Sequence, residues 1–154
     1  MNDIQRADAV YDALLGRQGE AWVEPRMERV GRLLELLGDP QRSYRVIHVT
    51  GTNGKTSTSR MIESLLRAHD LRTGLFTSRI MIDGEPIGDA AIADAWDDLV
   101  PVLTLVDAEL VADAQSPLTF FEVLTALAFV ACADAPIDVL VVEVVMGGAW
   151  DSTN

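Results

Sequence analysis

Apolar residues that recur every three or four positions predict two amphipathic helices before residue 40. The first covers residues 4–15 and stops near Gly16. The second begins after Pro25 and ends at residues 38–40 (Gly-Asp-Pro), a combination that terminates helices. Its apolar positions are Met27, Val30, Leu33, Leu34 and Leu37.

Segments rich in β-branched residues predict strands further along the chain. Residues 44–50 (YRVIHVT) are the first of them and residues 73–77 (TGLFT) the next. Residues 80–87 (IMIDGEPI) place Asp83-Gly84 between apolar residues, which predicts a hairpin. Residues 137–145 (IDVLVVEVV) are almost continuously apolar, as expected of a central parallel strand covered on both faces.

Three further helices are predicted among these strands. The first follows residue 57, and its inner face is predicted to be Met61, Ile62, Leu65 and Leu66. Residues 90–113 are the second, and Pro101 predicts a kink or a break in it. Residues 119–122 (TFFE) match a capping box that opens a third, buried helix.

The order of these elements favours an α/β layered fold of the P-loop type, with a mainly parallel central sheet flanked by helices. Residues 1–154 contain no internal repeat, low-complexity segment or linker, so a single domain is the simplest interpretation.

Composition narrows the classes of function. The 154 residues are 49% hydrophobic and 23% charged, which is typical of a globular protein. A formal net charge of −12 argues against binding of nucleic acid or an anionic membrane, because both need a basic face. The sequence has no signal-like opening or membrane-spanning apolar run, so we expect a cytoplasmic protein. Its single cysteine, Cys132, is expected to be buried and inert.

A glycine-rich loop provides the first candidate chemistry. Residues 51–57 (GTNGKTS) lie between a predicted strand and a predicted helix, which is the context that a phosphate-binding loop requires. Gly51 and Gly54 allow the backbone to approach a phosphate, and the amides around them form an anion cradle at the helix N-terminus. Lys55 is placed to reach the β- and γ-phosphates of ATP, and the Thr56 hydroxyl to ligate Mg²⁺.

The candidate nucleotide-binding residues are therefore Gly51, Thr52, Asn53, Gly54, Lys55, Thr56 and Ser57. The general P-loop pattern would have a glycine where this chain has Val49. The alternative to a phosphate site is a glycine-rich turn whose following helix is capped by Thr56 or Ser57.

Glu143 is the second candidate. It is an acid at the carboxyl end of an otherwise apolar central strand, where α/β folds bind their ligands. The alternative is a glutamate that merely reaches solvent at the end of a strand.

Several ordered segments together carry a resemblance to a known family. They are HVTGTNGKTS at 48–57, FTS at 76–78, RI at 79–80, IDGEPI at 82–87, FEVLT at 121–125, VE at 142–143, MGG at 146–148 and DSTN at 151–154. In this order they resemble the Mur ligase superfamily and, within it, the folylpolyglutamate synthase/dihydrofolate synthase family. The similarity extends from about residue 25 onward.

The resemblance implies ATP-dependent ligation of L-glutamate to a carboxylate of dihydropteroate or a reduced folate, through an acyl phosphate. It implies catalytic roles for Lys55 and Glu143, and an Mg²⁺ ion held by Thr56, Ser78 and Glu143. The chain would then be a partial ATP-binding domain, and the family's C-terminal glutamate-binding domain has no counterpart in these 154 residues.

Three departures from the family pattern bear on these roles. Ser78 runs directly into Arg79, where the family has a Pro-His-Leu segment and further loop residues that cover the folate. Val145 stands where the family has a glycine. The histidine and carbamylated lysine that complete the family's metal sites have no counterpart, because His48 lies in a strand and His69 at a helix end.

Two other functions stay open on the sequence. One is a degenerate nucleotide-binding module without ligase activity, which the three departures favour for the isolated chain. The other is a peptidoglycan-type Mur ligase acting on a UDP-linked substrate, against which the short segment before the loop and the IDGEPI and FEVLT motifs argue. We expect the 154-residue chain by itself to bind ATP without adding glutamate.

Overall fold

One five-stranded sheet organises the protein, and the computed structural model describes residues 1–17, 19 and 27–143 of it. The strands are β1 (Arg45–Val49), β2 (Thr73–Phe76), β3 (Ile80–Ile82), β4 (Glu85–Pro86) and β5 (Val139–Glu143). Their order across the sheet is β1-β5-β2-β3-β4. β5 is parallel to both of its neighbours, while β3 and β4 add an antiparallel hairpin beside β2. The predicted α/β fold with a parallel centre is confirmed.

Within the described ranges, five helices cover the two faces of this sheet. They are α1 (Asp3–Leu15), α2 (Met27–Leu36), α3 (Lys55–Ala68), α4 (Asp89–Ala112) and α5 (Phe120–Asp134), with a short 3₁₀ turn at Pro40–Arg42. Helices α1, α2, α4 and α5 enclose the larger hydrophobic core on one face, and α3 covers a smaller cluster on the other. No helix in the described ranges is long and apolar enough to cross a membrane.

Strand β5 is buried on both faces, as the continuous apolar run predicts. Val141 belongs to the cluster under α3, whereas Leu140 and Val142 belong to the larger core, and all three side chains are fully buried. This alternation follows from the two-residue period of a strand. Predictions that concern Val145 and the MGG and DSTN motifs fall outside the described residues.

The predicted hairpin forms at Asp83-Gly84. Both residues have positive φ, 50° and 83°, as the tight turns that match the twist of paired strands require. Asp83 also fixes the hairpin to β2, because its carboxylate accepts a hydrogen bond from the Thr73 backbone N–H at 2.9 Å.

The inner face predicted for α3 is partly wrong. Met61 and Leu65 are exposed, and the buried residues of this helix are Ser59 and Glu63. Glu63 can face inward because its carboxylate accepts hydrogen bonds from the Thr73 hydroxyl at 2.6 Å and from the side chain of Arg67 at 3.0 Å. A satisfied buried carboxylate thus occupies a position that the apolar pattern assigned to the outside.

Of the kink or break predicted at Pro101, the break does not occur, because α4 runs through the proline and is 24 residues long in all. Leu99 lies before the proline and Leu103 after it, and both are buried in the larger core. Packing on both sides of the proline outweighs the hydrogen bond that its missing N–H removes.

Helix α5 begins at the predicted capping box. The Thr119 hydroxyl accepts from the Glu122 N–H at 3.3 Å, and the Glu122 carboxylate accepts from the Thr119 N–H at 2.7 Å. Cys132, further along this helix, is fully buried as expected, and its burial raises the pKa of the thiol to about 12.

Candidate active site at the carboxyl edge of the sheet

The candidate site residues converge where the parallel strands end. Val49, the last residue of β1, is paired with Glu143, the last residue of β5, and Phe76 at the end of β2 is paired with Val142. The phosphate loop after β1, Ser78 after β2 and the side chain of Glu143 are therefore brought to one edge. Ligands of α/β folds bind at this edge.

The phosphate loop opens directly into α3. Gly54 occupies the N-cap position with φ 74°, a left-handed conformation that favours glycine. The helical hydrogen bonds begin with the bond from the Thr58 N–H to the Gly54 carbonyl at 2.9 Å. The N–H groups of Lys55, Thr56 and Ser57 precede that bond and point out of the helix end, which is where an anion binds.

Thr56 and Glu143 meet across the edge of the sheet. The Thr56 hydroxyl lies 2.9 and 2.8 Å from the two carboxylate oxygens of Glu143, to which it donates a hydrogen bond. The contact joins the first turn of α3 to the end of β5, residues 87 positions apart in sequence. It places a hydroxyl and a carboxylate side by side on a solvent-exposed surface.

A cleft of about 460 Å³ lies in front of this pair. Its polar side is lined by Lys55, Thr56, Thr77, Ser78 and Glu143. Lys55 is half-buried and forms no ion pair with any of the described residues. The structure thus brings Lys55 and the three predicted metal-binding residues to one cleft, and their roles in catalysis and metal binding stay predictions.

The remaining loop residues do not line the cleft walls. Gly51, Thr52, Asn53 and Ser57 are exposed on the loop and on the first turn of α3. Gly51 has φ 149°, which again favours glycine. Any contact from these residues to a ligand would come through the exposed backbone at the helix end, which is how phosphate loops bind.

The opposite wall of the cleft is apolar and was not assigned from the residues alone. It consists of Phe120, Phe121 and Leu124 at the start of α5. Phe121 is anchored by a stacked contact with Phe76, with ring centroids 6.0 Å apart. The signal in the sequence is the pair of adjacent aromatic residues inside a capping box, a pattern that by itself indicates only the start of a helix.

Buried polar contacts fix the position of this aromatic wall. Arg29 of α2 donates through Nη2 to the Pro117 carbonyl at 2.7 Å and to Glu122 at 3.2 Å. Arg17, just after α1, donates to the Leu118 carbonyl at 2.8 Å. The start of α5 is therefore held from two other helical segments.

The polar side of the cleft suits a hard cation bound together with phosphate. Thr56 and Ser78 contribute hydroxyl oxygens and Glu143 contributes a carboxylate, which are the ligand types that Mg²⁺ takes from proteins. Among the described residues no group of three or more His, Cys, Asp or Glu side chains forms a metal cage. One carboxylate is sufficient where substrate phosphates and water supply the other ligands.

Solved structures resemble the chain over almost its whole length. A structure of a Mycobacterium tuberculosis folylpolyglutamate synthase complexed with ADP matches with a TM-score of 0.89 at 43% identity, covering 99% of this chain and 35% of that one. A complex of a folylpolyglutamate synthase with AMPPCP and folate matches with a TM-score of 0.84 at 37% identity, covering 100% of this chain and 38% of that one.

Sequence comparisons agree with the structural ones. A dihydrofolate synthase/folylpolyglutamate synthase of Mycobacterium tuberculosis is 47% identical over 149 residues, which covers 90% of this chain and 31% of that protein. The chain thus spans about a third of the length of these relatives. The sequence model of the Mur ligase middle domain family matches residues 49–150 of the chain. These residues include the phosphate loop, the aromatic wall and Glu143. The chain belongs to the Mur ligase family.

Proposed function

We propose that this chain is the nucleotide-binding part of an enzyme that joins L-glutamate to a carboxylate of dihydropteroate or a reduced folate at the expense of ATP. The observation that carries the proposal is the contact between Thr56 and Glu143 beside Lys55, at the carboxyl edge of a parallel sheet. The similar proteins named above are folylpolyglutamate and dihydrofolate synthases, and one of their structures contains a nucleotide analogue together with folate. A cytoplasmic location is part of this proposal because ATP is the substrate.

ATP would be held chiefly through its phosphates. The exposed N–H groups at the start of α3 would donate hydrogen bonds to the phosphate oxygens. The partial positive charge of the helix end favours the negative charge of the phosphates. Lys55 adds a full positive charge against the β- and γ-phosphates. It is the only lysine among these 154 residues.

Mg²⁺ would be bound by Thr56, Ser78 and Glu143 together with phosphate oxygens. When bound, it neutralises charge that develops on the transferred phosphoryl group. Thr56 and Glu143 already lie within 2.9 Å of each other, so only a local change of the hydroxyl is needed to turn both oxygens toward a cation.

The acceptor would lie against the aromatic wall. Phe120 and Leu124 offer an apolar surface that faces the polar side of the cleft, where the carboxylate of the acceptor can approach the γ-phosphate. An oxygen of that carboxylate attacks the γ-phosphorus as the bond to ADP breaks, giving an acyl phosphate. The amine of glutamate then attacks the acyl carbon, loses a proton, and inorganic phosphate leaves.

The first test measures the role of Lys55. Mg-ATP at about 100 times its dissociation constant should raise the free energy of unfolding by about 2.7 kcal/mol, because only the native state binds it. Lys55→Ala should remove most of this gain. Arg60→Ala, which removes an exposed cation from the same helix, is the matched control and should retain it. Equal stabilisation of both variants and wild type would rule out Lys55 as a phosphate ligand.

A degenerate module without ligase activity is the second candidate, and the short connection at Ser78 favours it. The Thr77 N–H donates to the Arg79 carbonyl at 3.1 Å, so β2 turns into β3 within three residues and no covering loop intervenes. ADP release that depends on both glutamate and the acceptor would exclude the degenerate module. For the 154-residue chain alone we expect none, because holding the two reactants in attack geometry can account for about 7–11 kcal/mol of such a barrier.

A further inference from the structure

The backbone just before α5 is held by a ring of three hydrogen bonds. The Asp107 carboxylate of α4 accepts from the Leu118 N–H at 2.8 Å, and the Leu118 carbonyl accepts from Arg17 Nη1 at 2.8 Å. Arg17 Nη2 closes the ring by donating to the Asp107 carboxylate, also at 2.8 Å. We call this ring of Arg17, Asp107 and Leu118 the Leu118 clamp.

The clamp fixes one peptide segment against two helices. Leu118 is 1% exposed, so its N–H and C=O groups need partners within the protein. Both partners are charged side chains, and hydrogen bonds to charged groups are stronger than those between neutral groups. Arg17 follows α1 and Asp107 lies on α4, so the position of Leu118 is set by both of these helices.

The exposed part of the aromatic wall begins two residues after the clamp. Between Leu118 and Cys132, Phe120 and Leu124 are the residues that are not fully buried. They lie about one helical turn apart, and both line the candidate cleft. The orientation of this apolar surface therefore depends on the direction in which α5 leaves Leu118.

We propose that Arg17 and Asp107 are positioning residues, which hold Phe120 and Leu124 in the orientation that binds the acceptor. Neither is among the described residues that line the cleft, so both act through the backbone of Leu118. The identity of the acceptor rests on the proposed function, whereas the orientation of the wall rests on the clamp alone. A wall that is fixed before binding does not have to be ordered by the ligand, which raises affinity.

The clamp can be tested with little interference from folding. The side chains of Arg17 and Asp107 are 19% and 20% exposed, so water can enter where the arginine is removed. Arg29 and Glu122 hold the same segment but are each only 5% exposed, so breaking their pair affects the stability of the whole domain. Arg17 is therefore the better side chain to change.

Arg6 provides a matched control. Like Arg17, it joins the α1 region to α4 through ion pairs, here with Asp94 at 2.8 Å and Asp97 at 2.7 Å, and its side chain is 27% exposed. Its side-chain partners lie on α1 and α4 rather than before α5. Arg6→Met thus removes a similar ion pair without releasing Leu118.

The first measurement follows the wall in the absence of any ligand. The chain has four phenylalanines, so labelling with fluorinated phenylalanine should give four fluorine NMR resonances, and Phe120→Leu identifies one of them. Arg17→Met should shift and broaden the Phe120 resonance, because the start of α5 then samples several orientations. Phe129, which is 3% exposed, should keep its resonance, and Arg6→Met should change neither. A Phe120 resonance that is the same in Arg17→Met and in wild type overturns the proposal.

The second measurement is titration calorimetry with dihydropteroate as the probe, in the presence of Mg-ADP. Arg17→Met and Asp107→Ala should each bind dihydropteroate about tenfold more weakly than wild type, because the ligand then has to order two side chains. Arg17→Lys should restore part of the affinity, since it keeps the charge without the planar fork. Affinity for Mg-ADP should be the same in all of these variants and in Arg6→Met.

The outcomes separate the clamp from the proposed function. Unchanged affinity for dihydropteroate in Arg17→Met overturns the positioning role, and so does an equally large loss of affinity for Mg-ADP, which would indicate general damage to the fold. If wild type binds no dihydropteroate, the proposed acceptor is contradicted, while a displaced Phe120 resonance in Arg17→Met still supports the clamp. Should Arg17→Met fail to fold, Arg17→Lys carries both measurements, with smaller changes of the same sign.

Discussion

The two walls of the candidate cleft are built in opposite ways. On the phosphate-loop side, Thr56 is exposed and Glu143 only half-buried, and each is the hydrogen-bond partner of the other. On the α5 side, Arg29 and Glu122 have side chains that are each only 5% exposed. One wall presents polar groups to solvent, and the other uses polar groups to fix its own position.

The α5 wall uses a buried ion pair as an anchor. Glu122 caps its own helix and pairs with Arg29, which also donates to the Pro117 carbonyl. Arg29 Nε lies 3.2 Å from Glu122 but is not aligned for a hydrogen bond, so the bonding is carried by Nη2. Such a pair contributes little net stability relative to an apolar pair, yet it is costly to break on one side only.

The phosphate-loop wall leaves its polar groups available. The hydrogen bond between Thr56 and Glu143 replaces bonds that both groups could make to water, so its net contribution to folding is small. The same groups can therefore be recruited by a ligand at little cost. In this domain, the buried polar groups that fix the α5 wall and the polar groups that we propose bind nucleotide and metal therefore lie on separate elements.

The largest effect is expected from breaking the buried anchor. Arg29→Met leaves the Glu122 charge buried without its partner, and should lower the free energy of unfolding by about 3–5 kcal/mol. Urea denaturation measures this loss. The matched control is Arg32→Met on the same helix, whose ion pair with Glu109 is 44% and 42% exposed, so its loss should be much smaller because solvent screens the pair. Equal losses in the two variants would show that the anchor is not a distinct feature of the α5 wall.

Local features of both walls could be predicted from the sequence, but their partners could not. The capping box links Thr119 to Glu122 across three positions, so its pattern is visible in four residues. Arg29 lies 93 positions from Glu122, and nothing in the local pattern of either residue indicates the other. The phosphate loop follows the same rule, because its glycines predict its shape while the approach of Glu143 to Thr56 depends on strand register.

Helix α3 shows why apolar periodicity alone is insufficient. Two overlapping faces are available on it, and Glu63 occupies the buried one because Thr73 and Arg67 satisfy its carboxylate. Those partners come from the next strand and from the helix itself. A pattern of apolar residues cannot register a charged residue that becomes internal through such contacts.

A smaller, pH-dependent effect on the free energy of unfolding is expected from Cys132 in helix α5. Burial in α5 raises the pKa of Cys132 from its ordinary value of 9.0 to about 12. The unfolded thiol therefore ionises at a lower pH than the folded one, so stability is intact below pH 9.0 and falls as the pH rises toward 12. At roughly pH 10 the loss should be about 1 kcal/mol.

Cys132→Ala isolates this contribution from other groups that titrate in the same range. Tyr44 is one of them, because burial raises its pKa as well. The difference in the free energy of unfolding between wild type and Cys132→Ala should narrow or reverse between about pH 8 and pH 10 as the wild-type thiol opposes folding. A difference that is constant over this range would mean that the thiol ionises equally well in the folded protein.

The smallest effect on the free energy of unfolding is expected from a Thr→Val substitution in the phosphate-loop wall. The same substitution in the α5 wall should cost more. Thr56→Val removes an exposed hydroxyl whose partner among the described residues is Glu143, so the free energy of unfolding should change by less than about 0.5 kcal/mol. Thr119→Val removes a buried hydroxyl that caps α5, and should cost about 1–2 kcal/mol.

The order of the two variants should be reversed for Mg-ATP binding. Thr56→Val loses a proposed metal ligand and should bind more weakly, while Thr119→Val retains the phosphate loop. Thermal denaturation of both variants with and without Mg-ATP gives the four values required. If Thr56→Val proved as destabilising as Thr119→Val in the absence of nucleotide, the phosphate-loop wall would also be an anchor, and the contrast between the two walls would not hold.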